Sequence, residues 1–245
     1  MKTFREFLSE SQWMYHGSQK TGVSHLIPNR NEYMIDRAIG GHFAADPQIS
    51  RKFARGLYNR TDKSVGTVYR TKAPPRSQLM VLPQKINKHG IRGSDQHSIE
   101  SHVGHTVFSD PSNKELFKTY AMNSRMIDEP TAEKLHHHLM NHKSIDSPEF
   151  GMARQRGTSF HSFVDNYGGL NTNEGMRKEI VSRYLGIMRN KGIKGLVYHN
   201  TSPMETEGIP GDNPKFDNHR KPGQKGSRKS YVIFDPEEHK LEKYE

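Results

Sequence analysis

Cysteine is absent from the 245 residues. That excludes disulfides, zinc–thiolate sites, cysteine-ligated iron–sulfur clusters and thiol nucleophiles, and it suits a reducing compartment. Apolar residues are scarce, at 31% against ~45–50% in ordinary globular chains. Much of the chain is therefore expected to be irregular and solvated. The core should form around a few clusters: VYRT (68–71), MVLP (80–83), LVYHN (196–200) and YVIFDP (231–236). No apolar run approaches the ~20 residues that cross a bilayer, so no membrane association is expected. The N-terminus lacks the apolar stretch of a secretory signal. Acidic residues are outnumbered: 27 Asp and Glu face 37 Lys and Arg, for a net charge of +10. Such an excess suits a polyanionic environment, with DNA contact through a basic surface. No helix-turn-helix, zinc-finger or RNP pattern accompanies it.

The periodicity predicts an α+β chain. MKTFREFLSE (1–10) reads as a short amphipathic helix, with Phe4, Phe7 and Leu8 on one face. Trp13–His16 and GGHFAAD (40–46) read as strands. DPQISRKFARGLY (46–58) reads as a helix, with Asp46 as N-cap, Pro47 at the first helical position, and Ile49, Phe53 and Leu57 along one face. GTVYRTKAP (66–74) is a strand, 83–112 a long polar loop, 113–143 helical and 144–174 loop-like. GMRKEIVSRYLGIMRNKG (175–192) is the strongest helix, with Met176, Ile180, Tyr184, Ile187 and Met188 apolar and Gly192 as its stop. IKGLVYHN (193–200) and SYVIFDP (230–236) are strands around a Pro/Gly-rich loop, 201–229.

Three stretches carry the chemistry: YHGS (15–18), GGHFAADPQISRKFA (40–54), and GIKGLVYHN (192–200) followed by SYVIFDPEEHKLEKY (230–244). In order and spacing they resemble the ADP-ribosyltransferase superfamily of the diphtheria-toxin and poly(ADP-ribose) polymerase type. They look like the domains of that superfamily seen in phage and mobile-element proteins. The resemblance implies a split β-sheet core with helices, occupying residues 11–245, with an unmatched insert at 83–174. It implies NAD as substrate, no metal, and a host protein or nucleic acid as acceptor.

By the same resemblance, His16 donates to an adenosine-ribose hydroxyl and Gly17 pairs its N–H and C=O with the nicotinamide carboxamide. A glycine permits that approach without a side-chain clash. Ser18, Phe43 and Ser230 would border the cofactor. His42 stands where the family has tyrosine. It is a candidate for catalysis or stacking, with Phe53 and Tyr58 as further stacking aromatics. Glycosidic cleavage builds an oxocarbenium-like centre that a carboxylate stabilises. Where the family has that glutamate, directly before Tyr231, this chain has Ser230. METEG (204–208) offers Glu205 and Glu207 instead. The pair resembles the arginine-modifying branch, in which the second glutamate contacts NAD and the first the acceptor.

Plainer roles stand beside these. His16 can be an ordinary strand-end histidine, His42 an edge filler, Phe53 a core residue, and Glu205 and Glu207 solvated loop charges. EKLHHHLMNH (133–142) pairs Glu133 with His137 and His138 with His142 at helical spacing, which can bind a metal. A solvated helix face explains it as well. HRKPGQKGSRK (219–229) is basic throughout, and fits either a charged loop or contact with phosphates.

MKTFREFLSE also resembles the capsid-targeting peptide of internal head proteins of large tailed phages, cut after a glutamate, here Glu10. It implies packaging in the virion and action in the host cytoplasm after injection. The expectation is thus a packaged, NAD-dependent ADP-ribosyltransferase. The alternative is a non-catalytic internal head protein with a degenerate version of the fold that binds DNA or a host factor.

Overall fold

A computed structural model describes residues 13–30, 32, 34–56, 66–82, 86–87, 90–91, 95–125, 128–141, 173–200 and 229–245. The chain divides into two compact units, one comprising residues 1–28, 39–95 and 192–245, the other 29–38 and 96–191.

The first unit is built on a seven-stranded, mostly antiparallel sheet. Its strands are β1 (Trp13–Ser18), β2 (Gly41–Ala44), β3 (Thr67–Lys72), β4 (Leu79–Val81), β7 (Gly195–His199), β8 (Lys229–Ile233) and β9 (Glu242–Lys243). The spatial order is β4-β7-β8-β2-β1-β3-β9. Only β4 and β7 run parallel among these pairs. The short pair β5 (Ile86–Asn87) and β6 (Gly90–Ile91) forms a separate hairpin. A one-turn helix, α1 (Ile35–Ile39), precedes β2 and, but for Ile39, falls in the second unit. One face of the sheet carries the main apolar cluster: Met14, Phe43, Tyr69, Tyr231, Ile233 and Leu241 are buried together.

Helix α2 (Pro47–Ala54) begins as its sequence predicts. The Asp46 carboxylate accepts the N–H of Gln48 at 2.9 Å, and Pro47 fills the first helical position, where no N–H is needed. Ile49 is buried and Phe53 packs against it and Ala44. The helix stops at Ala54, short of the predicted Tyr58. Its backbone lies directly on the sheet. A Cβ on Gly17 would collide with the carbonyl oxygen of Ser50 and come within 2.8 Å of the Ala54 nitrogen.

The second unit is helical: α3 (Asp95–Phe108), α4 (Lys114–Arg125), α5 (Glu129–Asn141) and α6 (Glu174–Asn190). α3 corrects the expectation of a loop over 83–112. Its apolar residues Ile99, Val103 and Val107 recur every four positions and are buried, but they stand among His, Ser and Gly, whose weak helix propensity masks the period. α6 matches its prediction within two residues, capped by Asn173. The chain leaves it at Gly192, which has φ 68°. Phe108 stacks on Tyr120 at 5.0 Å and meets Phe117 edge-on at 5.4 Å.

Candidate functional site

Three of the singled-out stretches become neighbours. β1 carries His16, Gly17 and Ser18; β2 carries His42 and Phe43; β8 carries Ser230. β2 lies between the other two and pairs with β8 over four residues, from Gly41↔Ile233 to Ala44↔Ser230. With β1 it forms a single bridge, Tyr15↔Ala44. β1 meanwhile pairs with β3 along its whole length, Gly17 opposite Val68.

That one-bridge seam fixes where the Gly17 backbone points. The N–H of Ala45 donates to the Lys229 carbonyl on β8. Backbone groups alternate sides along a strand, so Ala44 directs its own N–H and C=O at β1. Tyr15 faces β2 in return, and Gly17, two residues further, faces the same way. Continuing the register would place Gly17 opposite His42, but the ladder has ended. The N–H and C=O of Gly17 therefore point toward β2 rather than β3.

His16 spans that gap. Its Nδ1 donates to the His42 carbonyl at 2.9 Å, since a carbonyl can only accept. Burial lowers the ring's pKa from the usual histidine value, partly offset by that hydrogen bond. The neutral ring, with its proton on Nδ1, leaves Nε2 as an acceptor. A hydroxyl placed at that nitrogen would donate to it, whereas the expectation has His16 as the donor. Phe43, in the core, meets the ring edge-on at 5.8 Å.

The two sheet faces divide the remaining residues. His16 shares the core face with Phe43 and Tyr69. The alternate face, on which α2 lies, carries a register row Tyr198–Ser230–Ala44–Tyr15–Arg70 across five strands. His42 is on this second face, with its Nδ1 3.3 Å from the Tyr198 hydroxyl. Phe53 is half-buried against Ala44 and Ile49, on the underside of α2. Ser230 is 2% exposed, between Ala44 and Tyr198.

Three contributors escaped the sequence. Tyr198 is one; aligning LVYHN against SYVIF as an antiparallel pair would have placed it beside Ser230. Ser50 is another, buried where α2 meets Gly17. The third is Tyr69, opposite His16 on β3. Its hydroxyl accepts the Val23 N–H at 3.1 Å and donates to the Lys20 carbonyl at 3.3 Å, holding down the loop after Ser18. Ser18 Oγ accepts the Lys20 N–H at 3.0 Å in the same turn.

No protein-family model, curated protein or solved structure matches this chain.

Tyr58, Glu205, Glu207, the peptide 1–10 and basic residues 219–228 lie outside the described residues. Among the described residues, two carboxylates beside α2 are engaged. Asp46 caps the helix, and Glu245 pairs with Arg51. In α5, Glu133 pairs with Lys114 at 3.1 Å and Lys118 at 3.5 Å. Among the described residues no group of three or more His, Asp or Glu could hold a metal, and no helix is long and apolar enough to cross a membrane.

Proposed function

We propose that the chain is an NAD-dependent ADP-ribosyltransferase, carried in a phage head and delivered into the host. The observation that carries this reading is the seam between β1 and β2. Beyond its single bridge, the N–H and C=O of Gly17 point toward β2, beside a neutral histidine whose Nε2 is an acceptor. A primary carboxamide needs one acceptor and one donor side by side, and Gly17 offers both. The His16 Nε2 accepts a ribose hydroxyl. Phe53 and His42 come from the elements on the α2 side of the seam and flank the nicotinamide ring.

In the reaction the C–N bond between ribose and nicotinamide breaks, and nicotinamide leaves with the bonding electron pair. The acceptor's nucleophilic atom forms the new bond to that ribose carbon and releases its proton. Glu207, with Glu205 beside it, supplies the carboxylate that faces the developing positive charge. The resemblance of residues 1–10 to a capsid-targeting peptide supports packaging.

Incubating the protein with labelled NAD and host lysate tests the proposal. Label should appear on a macromolecule, and free nicotinamide should accumulate. Neither event occurring would overturn it. Ser230 favours a second reading, a binding protein that retains the seam without the chemistry. In that case NAD raises the melting temperature and is never consumed.

A further inference from the structure

We propose that the aromatic and cationic patch around Trp13 docks single-stranded nucleic acid; assigning that strand as the acceptor rests on the transferase reading above.

Trp13 is the only tryptophan in the chain. It sits at the start of β1, directly opposite Lys72 on β3. The Lys72 ammonium lies 3.7 Å from the indole centroid and the Arg70 guanidinium 4.3 Å from it. Arg70 also lies 5.8 Å from the Tyr244 ring, and Tyr244 meets Tyr15 edge-on at 5.0 Å. Three aromatic rings and two cations thus form one continuous surface. It is partly open to solvent: Tyr244 is 37% exposed, the Arg70 side chain 35%, and Lys72 is exposed, while Trp13 and Tyr15 are half-buried.

A core role would bury the indole among apolar side chains. Here its cross-strand partner is Lys72 and Arg70 lies diagonal to it, which makes a poor core and a suitable stacking platform. Bases stack on aromatic and guanidinium planes whatever their identity, while flanking cations meet the phosphates. Acids are present but fewer. Glu242 lies 3.5 Å from Arg70, and Glu245 is paired with Arg51. Lys72 has no ion-pair partner among the described residues. A duplex keeps its base faces stacked inside, so the chemistry selects a single strand.

The patch also lies on the correct side of the sheet. Trp13, Tyr15 and Gly17 alternate on one face of β1, so Trp13 is roughly 13 Å from Gly17 along the strand. A strand docked at the indole therefore ends within roughly 13 Å of Gly17, where α2 covers this face.

The sole tryptophan makes the test direct. The full-length protein is titrated with a short oligothymidylate, without NAD, while Trp13 emission is followed. We expect saturable quenching, with affinity falling roughly tenfold between about 50 and 200 mM salt. A duplex of equal length should leave the emission unchanged. Lys72→Glu should lose about tenfold in affinity with its melting temperature unchanged, and Trp13→Phe should keep part of the binding by anisotropy. Absence of quenching at the lower salt, equal quenching by duplex, or unchanged affinity of K72E would overturn the proposal. Because NAD is absent, failure here leaves the transferase proposal standing, and failure of label transfer leaves this one standing.

Discussion

The ring of His16 and the backbone of His42 are joined where their strands are not. Nδ1 of one donates to the carbonyl of the other at 2.9 Å, one residue beyond the single bridge between β1 and β2. A side chain thus joins the two strands where the ladder has ended, with the neighbouring peptide group of Gly17 pointing into the same seam. The consequences are specific enough to measure.

Gly17→Ala should destabilise the fold as well as block the seam. The added methyl would strike the backbone of α2 at Ser50 and Ala54, which cannot rotate away. Overpacking of this kind costs about 1–3 kcal/mol, or a fall in melting temperature of roughly 3–10 °C for a chain of this size. A thermal melt reads it. An unchanged melt would mean that α2 does not lie on this strand.

Asp46→Ala removes the cap of the same helix while leaving Gly17 untouched. The expected loss is about 1 kcal/mol. Comparing the two variants by denaturant titration separates loosening of α2 from closure of the seam: only Gly17→Ala should abolish NAD binding outright.

The strand pieces were legible because their signals are local. Asp46-Pro47 starts α2, and the apolar runs at 68–71 and 231–234 read as strands without further help. The core face was harder to read. Whether His16 shares a face with Phe43 or with His42 depends on strand order and register, which sequence spacing does not reveal. α3 was missed because three buried apolar residues, Ile99, Val103 and Val107, are diluted among residues of weak helix propensity. Gly17 was singled out for a ligand, yet the packing of α2 alone already demands a glycine there.

Acid should weaken the helical unit through His102. Burial lowers the pKa of His102 to about 4, with His105 and Lys191 adding to the effect, and its Nε2 is buried with no hydrogen-bond partner. The folded pKa lies below the unfolded value of 6.5, so the unfolded chain binds the proton first. Stability therefore rises with pH between about 4 and 6.5 and is lost as pH falls through that window. The full span corresponds to about 3 kcal/mol. His102→Leu should flatten this slope in melts recorded across the window. An unchanged slope would place the titrating group elsewhere.

Ser230→Glu tests what the missing carboxylate is worth. The position is buried, between Ala44 and Tyr198, so an added charge should lower the melting temperature. In a chain with an intact NAD seam it should also raise nicotinamide release by about tenfold or more. A stable variant with no gain in release would indicate that Glu207 or Glu205 already fills the role, or that NAD does not reach β8. Glu207→Gln in the parent chain distinguishes these two, because it abolishes release only in the first case.

The most direct measurement is calorimetric titration of NAD into the parent protein and into His16→Ala near neutral pH, where the low-pKa ring is uncharged. Saturable binding to the parent, weakened at least about tenfold in the variant by loss of one buried hydrogen bond, is the expected result. No binding to the parent, or equal binding to both, would contradict a dinucleotide seated between β1 and β2.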